Sequence, residues 1–309
     1  MLGKCEARRR SAFSVQSPLR GLLGMTALFN ASTFERVAPA LSVALIGLIA
    51  GACAETEKPS ATPPQLSKAS TQKTIGEYRS NEGRFYLRNN NSSGDADIVF
   101  AFGPSGGTLV PIAGDWDGNG NDTVGLYDGK RGAWFLKNSA DGGVADTMFS
   151  FGPAGLNFLP IVGDWDGDGR DSVGLYDRTK GQWYLKNSNS SGVADINFAF
   201  GPSGQSLWPI AGDWNGDKSD SVGLYDASGG AWFLKNSLES GNADVMFPFG
   251  PAGPDSFPIA GNWAGSEDTV GLYVPTQSAW FLKYSNSDGV ADLIFGFGVT
   301  GSKPIVGRW

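Results

Sequence analysis

One motif recurs along this chain at a fixed interval. Pro111, Pro160, Pro209 and Pro258 open similar stretches 49 residues apart, and a shortened copy, Pro304–Trp309, ends the chain 46 residues further on. The fullest copy, Pro160–Asp177, reads PIVGDWDGDGRDSVGLYD. Such a period marks stacked or radially arranged units, none of which buries its apolar face alone.

Each unit contains four short extended runs. In the unit from Pro111 these are Pro111–Trp116, Thr123–Tyr127, Ala133–Lys137 and Asp146–Phe151. The runs are β-branched or aromatic, and Gly, Asn, Asp and Ser cluster between them, which predicts strands joined by hairpins. Helical apolar spacing is missing after residue 74. Four strands in about 40–50 residues is the size of a β-propeller blade.

The first unit is incomplete. Thr74–Tyr78 aligns with Thr123–Tyr127, Gly83–Arg88 with Gly132–Lys137, and Asp97–Pro104 with Asp146–Pro153. It has no first strand, and the chain ends on one. The expected fold is therefore all-β: a five-bladed propeller of four-stranded blades, closed when the C-terminal strand completes the N-terminal blade. The blade units are 74–110 plus 304–309, 111–159, 160–208, 209–257 and 258–303. An open stack would leave an exposed edge at each end.

Ahead of the repeats lies a segment of different character. Lys4, Arg8, Arg9, Arg10, Arg20 and Arg36 precede an apolar run, Val37–Ala52. Residues 1–52 read as a secretory signal, too short and too soon followed by polar sequence for a membrane span. Met25 would begin a more ordinary one. The residues Ala50, Gly51, Ala52 and Cys53 resemble a bacterial lipobox, which would lipidate Cys53; they also satisfy an A-x-A cleavage site. Residues 53–73, with Pro59, Pro63 and Pro64, read as the anchor cysteine and a polar tether. The two cysteines are Cys5 and Cys53, so no disulfide can staple the repeats.

The expected location is outside the cytoplasm, as an anchored lipoprotein of the outer membrane or cell surface or as a secreted protein. The chain carries a net charge of −7 although its leader is basic, which argues against nucleic acid and against electrostatic docking on anionic lipid. A monomer, touching membrane only through its anchor, is expected.

Several positions recur in every unit. Trp116, Trp165, Trp214, Trp263 and Trp309 close the first strand, and Trp134, Trp183, Trp232 and Trp280 sit in the third, with Phe85 there in the first unit. Packing between blades accounts for large aromatics at such positions; stacking on a ligand is the alternative for the third-strand set. Lys137, Lys186, Lys235 and Lys283, with Arg88 in the first unit, face a recurrent Asp across a hairpin, as a cross-strand charge pair would.

The loop after the first strand carries the clearest chemistry. Asp164, Asp166 and Asp168 occupy its positions one, three and five, followed by Arg170, which offers a carbonyl, and Asp171. The preceding unit has Asp115, Asp117, Asn119, Asn121 and Asp122 there, and the following one Asp213, Asn215, Asp217, Ser219 and Asp220. Hard oxygens at alternate positions of a curling, Gly-bearing loop suit Ca2+; Asx turns in ordinary hairpins are the simpler account. The shorter fourth loop, Asn262–Asp268, has lost most ligands and is expected to be empty.

A D-x-D-G-D-G loop between two strands, preceded by a Phe-Gly-Pro strand end, resembles the VCBS and FG-GAP repeats of integrin-like β-propellers, over residues 74–309. That resemblance implies calcium in the loops and a role in surface adhesion or recognition; some related propellers are lectins. One departure stands out: the last carboxylate falls at position eight (Asp122, Asp171, Asp220), where the family usually places it at nine.

Catalysis is not expected. The chain has no histidine and no thiol after Cys53, which excludes Ser-His and Cys-His pairs in the repeats. Its carboxylates repeat from blade to blade, whereas a catalytic pair is normally a single irregularity. The expected function is a non-catalytic, calcium-stabilised recognition or adhesion module for a surface protein or glycan. The alternative is a multivalent lectin with sugar sites between blades.

Overall fold

A computed structural model describes residues 72–309 apart from 156, 157, 252 and 254. The signal, Cys53 and the tether as far as residue 71 lie outside the described residues. Among the described residues, twenty strands form five four-stranded antiparallel sheets. Blade II holds β4 (Val110–Gly114), β5 (Thr123–Asp128), β6 (Ala133–Leu136) and β7 (Thr147–Ser150). Blade III holds β8 (Phe158–Gly163), β9 (Ser172–Asp177), β10 (Gln182–Leu185) and β11 (Ile196–Ala199). Blade IV holds β12 (Trp208–Gly212), β13 (Ser221–Asp226), β14 (Ala231–Leu234) and β15 (Val245–Pro248). Blade V holds β16 (Phe257–Gly261), β17 (Thr269–Val274), β18 (Ala279–Leu282) and β19 (Leu293–Gly296). Blade I holds β1 (Thr74–Arg79), β2 (Arg84–Leu87) and β3 (Ile98–Ala101), with β20 (Lys303–Gly307) as its first strand.

The closure has the same register as the blades made from continuous chain. Thr74 pairs with Gly307 and Tyr78 with Lys303, as Thr123 pairs with Gly114 and Tyr127 with Val110. The first strands touch in cyclic order, β4 to β8, β12, β16, β20 and back to β4. The protein is a five-bladed β-propeller. The first strands surround a cavity of about 170 Å³ lined by their Pro-Ile-Ala/Val residues.

Each blade packs through a repeated aromatic stack. In blade III the Tyr176 and Trp183 ring centroids lie 4.6 Å apart, and Phe198 stacks on Trp183 at 6.3 Å. Each core cluster also takes residues from the next blade: Val222 and Leu224 join Trp183 and Phe200. The expected charge pairs form in four blades, as Arg88–Asp97 (3.2 Å), Lys137–Asp146 (3.6 Å), Lys186–Asp195 (3.1 Å) and Lys283–Asp292 (3.7 Å).

Outer strands carry the exposed edges that a propeller must protect. The Ser191 hydroxyl accepts the Ser150 N–H of the preceding blade at 3.1 Å, Ser240 accepts from Ala199 at 3.1 Å, and Ser93 accepts from Gly296 at 3.2 Å. Pro248 holds the equivalent place in blade IV, where it has no N–H to satisfy.

One turn departs from its counterparts in a measurable way. Gly83, Gly132, Gly181 and Gly230 take φ of 65°, 63°, 66° and 67°, while blade V has Ser278 there at 49°. A side chain held in that left-handed region costs about 1 kcal/mol. Ser278→Gly is expected to stabilise the protein by about 0.5–1 kcal/mol, since the added chain freedom of Gly offsets part of the relief. Urea unfolding of both forms checks this; an unchanged or lower midpoint would refute it.

Candidate functional site

The loops after the first strands pack against one another around one end of the ring. A Cβ at Gly118 would lie 2.9 Å from Arg170 of the next blade, and one at Gly167 would lie 2.7 Å from the Ser219 hydroxyl. The loops are built around their first carboxylate. Asp115 accepts the N–H groups of Gly118 (2.8 Å), Asn119 (3.1 Å) and Gly120 (2.7 Å). Asp213 accepts those of Gly216 (2.7 Å), Asp217 (3.1 Å) and Lys218 (2.8 Å). Asp164 accepts those of Asp168 (3.0 Å) and Gly169 (2.9 Å), and burial pushes its carboxyl above the usual range.

Position five closes each loop: Asn119 accepts from the Asn121 N–H at 2.8 Å, Asp168 from Arg170 at 2.8 Å and Asp217 from Ser219 at 2.9 Å. In blade III one oxygen each from Asp164, Asp166 and Asp168 lies within 4.8 Å of the others. That spacing fits one hard cation. The loop of blade IV satisfies itself differently, the Asn215 amide donating to Asp217 at 2.8 Å. In blade II, Asp117 accepts the Asn119 N–H at 3.2 Å. The shorter loop of blade V keeps an Asx turn, Asn262 accepting the Gly265 N–H at 3.1 Å.

Position eight is corrected. Asp122, Asp171 and Asp220 do not converge on the loop carboxylates; they reach the preceding blade. Asp171 accepts the Asp115 N–H at 2.7 Å, Asp220 that of Asp164 at 3.0 Å and Asp122 that of Arg308 at 2.9 Å. Asp268, from the loop with few other ligands, does the same for Asp213 at 3.3 Å. The cause is the pleat: each residue directly precedes a second strand, so its side chain turns from the loop toward the neighbouring first strand. The Gly of each Gly-Asp-Trp makes room, since a Cβ at Gly163 would lie 2.9 Å from the Asp220 Cβ.

Sequence reasoning passed over the fifth member of this ring. A Cβ at Gly261 would lie 3.1 Å from the Lys73 Cβ, the relation that Gly163 has to Asp220. Lys73 therefore belongs to the propeller and not to the tether. Its ammonium lies 3.6 Å from Asp268. Burial alone would lower its pKa, but Asp268, Asp122, Asp220 and Asp171 hold it well above the ordinary lysine value. Burial in turn raises Asp122 and Asp171 and pushes Asp220 up to about 7, with Lys73 opposing. Stepping one residue back from Thr74 in the repeat alignment would have found it.

The third-strand tryptophans are also corrected. Trp134, Trp183, Trp232 and Trp280 are each 0% exposed, so no ring face is open to a ligand. Their indole N–H groups donate to the carbonyls of Phe151, Phe200, Phe249 and Phe297 at 2.9–3.0 Å, which ties the third strand to the end of the fourth.

Open space lies between blades instead. A cavity of about 560 Å³ runs from Phe151, Gly152 and Pro153 of blade II to Leu175, Tyr184 and Asn197 of blade III. Its counterpart between blades III and IV, about 690 Å³, runs from Phe200, Gly201 and Pro202 to Leu224, Phe233 and Met246. Val144, Val193 and Val290 stand beside the outer strands at 83–84% exposure, with Met148, Met246 and Ile294 also exposed.

Comparison with known proteins leaves the family open. No family model and no curated protein matches the chain. Among solved structures it matches a chain of the crystal structure of BBS1N in complex with ARL6DN, with 9% identity, a TM-score of 0.36 and coverage of 70% of this chain. The match spans 62% of that chain.

Proposed function

We propose that the protein is a non-catalytic recognition or adhesion module, exported and held at a cell surface or in the periplasm, that binds its partner in the clefts between blades. The recurrence of one cleft at two successive blade boundaries carries this reading. Their volumes fall in the range of small-molecule and peptide sites, and their walls are apolar with few polar groups. Val193 and Met246, on the walls of the two clefts, are largely exposed, so a partner has apolar surface to cover. Binding of the full-length chain to a panel of glycans and surface proteins tests it, with Tyr184→Ser and Phe233→Ser as cleft variants. Binding lost in both variants supports the reading. No binding at high density, or binding indifferent to both, overturns it.

The multivalent lectin is the same surface with a sugar as occupant, and the recurrent cleft supports it equally. The four buried tryptophans are no part of it.

Calcium belongs to this proposal through the loop of blade III, where Asp164, Asp166 and Asp168 would hold it. A bound cation would screen three carboxylates that otherwise repel one another. Calcium at about 100 times its Kd stabilises by about 2.7 kcal/mol per site. The melting temperature of chelator-treated protein is expected to rise on adding calcium, and Asp166→Asn to remove most of the rise. A melting curve unmoved by excess calcium would refute it.

A further inference from the structure

We infer that the boundary between blades III and IV holds a site for an acidic saccharide, with the sugar ring on Trp208 and its carboxylate on Arg178. This rests on the recognition reading above and names the ligand class of one cleft. Five blades of one repeat show which residues the fold needs, and these two break the pattern. Where blade III has Arg178, the other blades have Ser80, Gly129, Ala227 and Pro275. Where blade IV has Trp208, the others have Val110, Leu159, Phe257 and Lys303.

The two exceptions meet although they belong to different blades. The Arg178 guanidinium lies 5.4 Å from the centre of the Trp208 ring. Both line a cavity of about 410 Å³ with Gln205, Ser206, Asp226 and Ser228. Gln205, Leu207 and Asp226 also line the 690 Å³ cleft, so the two cavities form one continuous trough.

The chemistry follows from what Arg178 lacks. Its Nε and Nη2 are buried and have no hydrogen-bond partner. Those two nitrogens point their N–H groups the same way along one side of the guanidinium, the side-on fork that takes both oxygens of a carboxylate. Orphaned donors on a charged group are rare and call for a missing acceptor. Arg178 itself lines the cavity. Trp208 is half-buried, its ring inclined at 63° to Phe257 with centroids 5.3 Å apart, and the ring face on the Arg178 side is the one a sugar ring would share. Gln205, Ser206 and Ser228 supply partners for hydroxyls. Asp226, whose carboxylate is fixed by the Ser228 N–H at 2.8 Å, accepts hydroxyls and repels a second acid, so the site suits one carboxylate per ring.

Isothermal titration of the full-length chain with glucuronate, glucose and inorganic phosphate tests this. Arg178→Gly and Trp208→Leu put in residues that other blades carry, Gly129 and Leu159, so each is compatible with the fold. Glucuronate is expected to bind at least about tenfold more tightly than glucose or phosphate, and each variant to lose about tenfold or more. Arg178→Lys keeps the charge but loses the fork, and is expected to lose most of the binding. The inference is overturned by no heat with glucuronate, by equal binding of glucose or phosphate, or by variants that bind like the parent. Should glucuronate fail while the glycan and protein panel still shows binding that depends on Tyr184 and Phe233, this assignment falls and the recognition reading stands.

Discussion

A chain ending at Ser302 is expected not to fold. Removing Lys303–Trp309 takes away β20 and with it the pairing along one side of Thr74–Tyr78, leaving β1 held only by β2. It uncovers Leu87 by removing Ile305 and Ile75 by removing Val306, both residues being 0% exposed in the intact ring. It also removes a direct link between blades I and II, since the Asp122 N–H donates to the Arg308 carbonyl at 2.7 Å and the Arg308 N–H returns to Asp122. Two new edges result, at β1 and at the blade boundary, in a protein whose other sheet edges are covered or short. Loss of cooperative unfolding in urea, with aggregation, is the expected result. A milder variant separates closure from general damage: Ile305→Ala is expected to cost about 2–4 kcal/mol while unfolding stays cooperative. A truncated chain that melts like the parent would show that the ring does not depend on its last strand.

The closure was legible because the repeat is nearly regular. Once Thr74 is set against Thr123, the missing first strand and the surplus last one are two halves of one observation. Charge at the axis was not legible in the same way. Lys73 reverses the sign of its counterparts Asp122, Asp171, Asp220 and Asp268, so to the eye it continued a polar tether. The three aspartates misled for a related reason. Their spacing suits a ligand loop, but one residue of strand pleat decides which way a side chain points, and spacing alone does not show where the strand begins. Trp134 and its equivalents could be read either way until the fold closed over them. Arg178 and Trp208 stand 30 residues apart in different units, and nothing short of the assembled boundary brings them together.

Replacing Lys73 is expected to produce the second largest effect, and one that depends on pH. Four carboxylates face one ammonium at the end of the axis: Asp122, Asp171, Asp220 and Asp268 around Lys73. Arg308 and Asp115 act on Asp122, and Asp164 on Asp220. Removing one partner of a buried ion pair costs about 3–5 kcal/mol; Lys73 keeps some contact with water, which brings the expectation for Lys73→Met to about 2–4 kcal/mol at pH 8. The sign with pH follows from the ring. Burial raises the carboxyls of Asp122, Asp171 and Asp220 above their unfolded values. Groups of that kind contribute most below the unfolded carboxylate pKa, and the contribution fades as pH rises through the folded value, about 7 for Asp220. Without Lys73 the folded values climb further, so the variant's deficit should narrow between pH 8 and pH 5 as the ring takes up protons. Urea midpoints for parent and variant at both pH values give the measurement. A deficit equal at pH 5 and pH 8, or none at either, would mean that Lys73 does not neutralise the axial carboxylates.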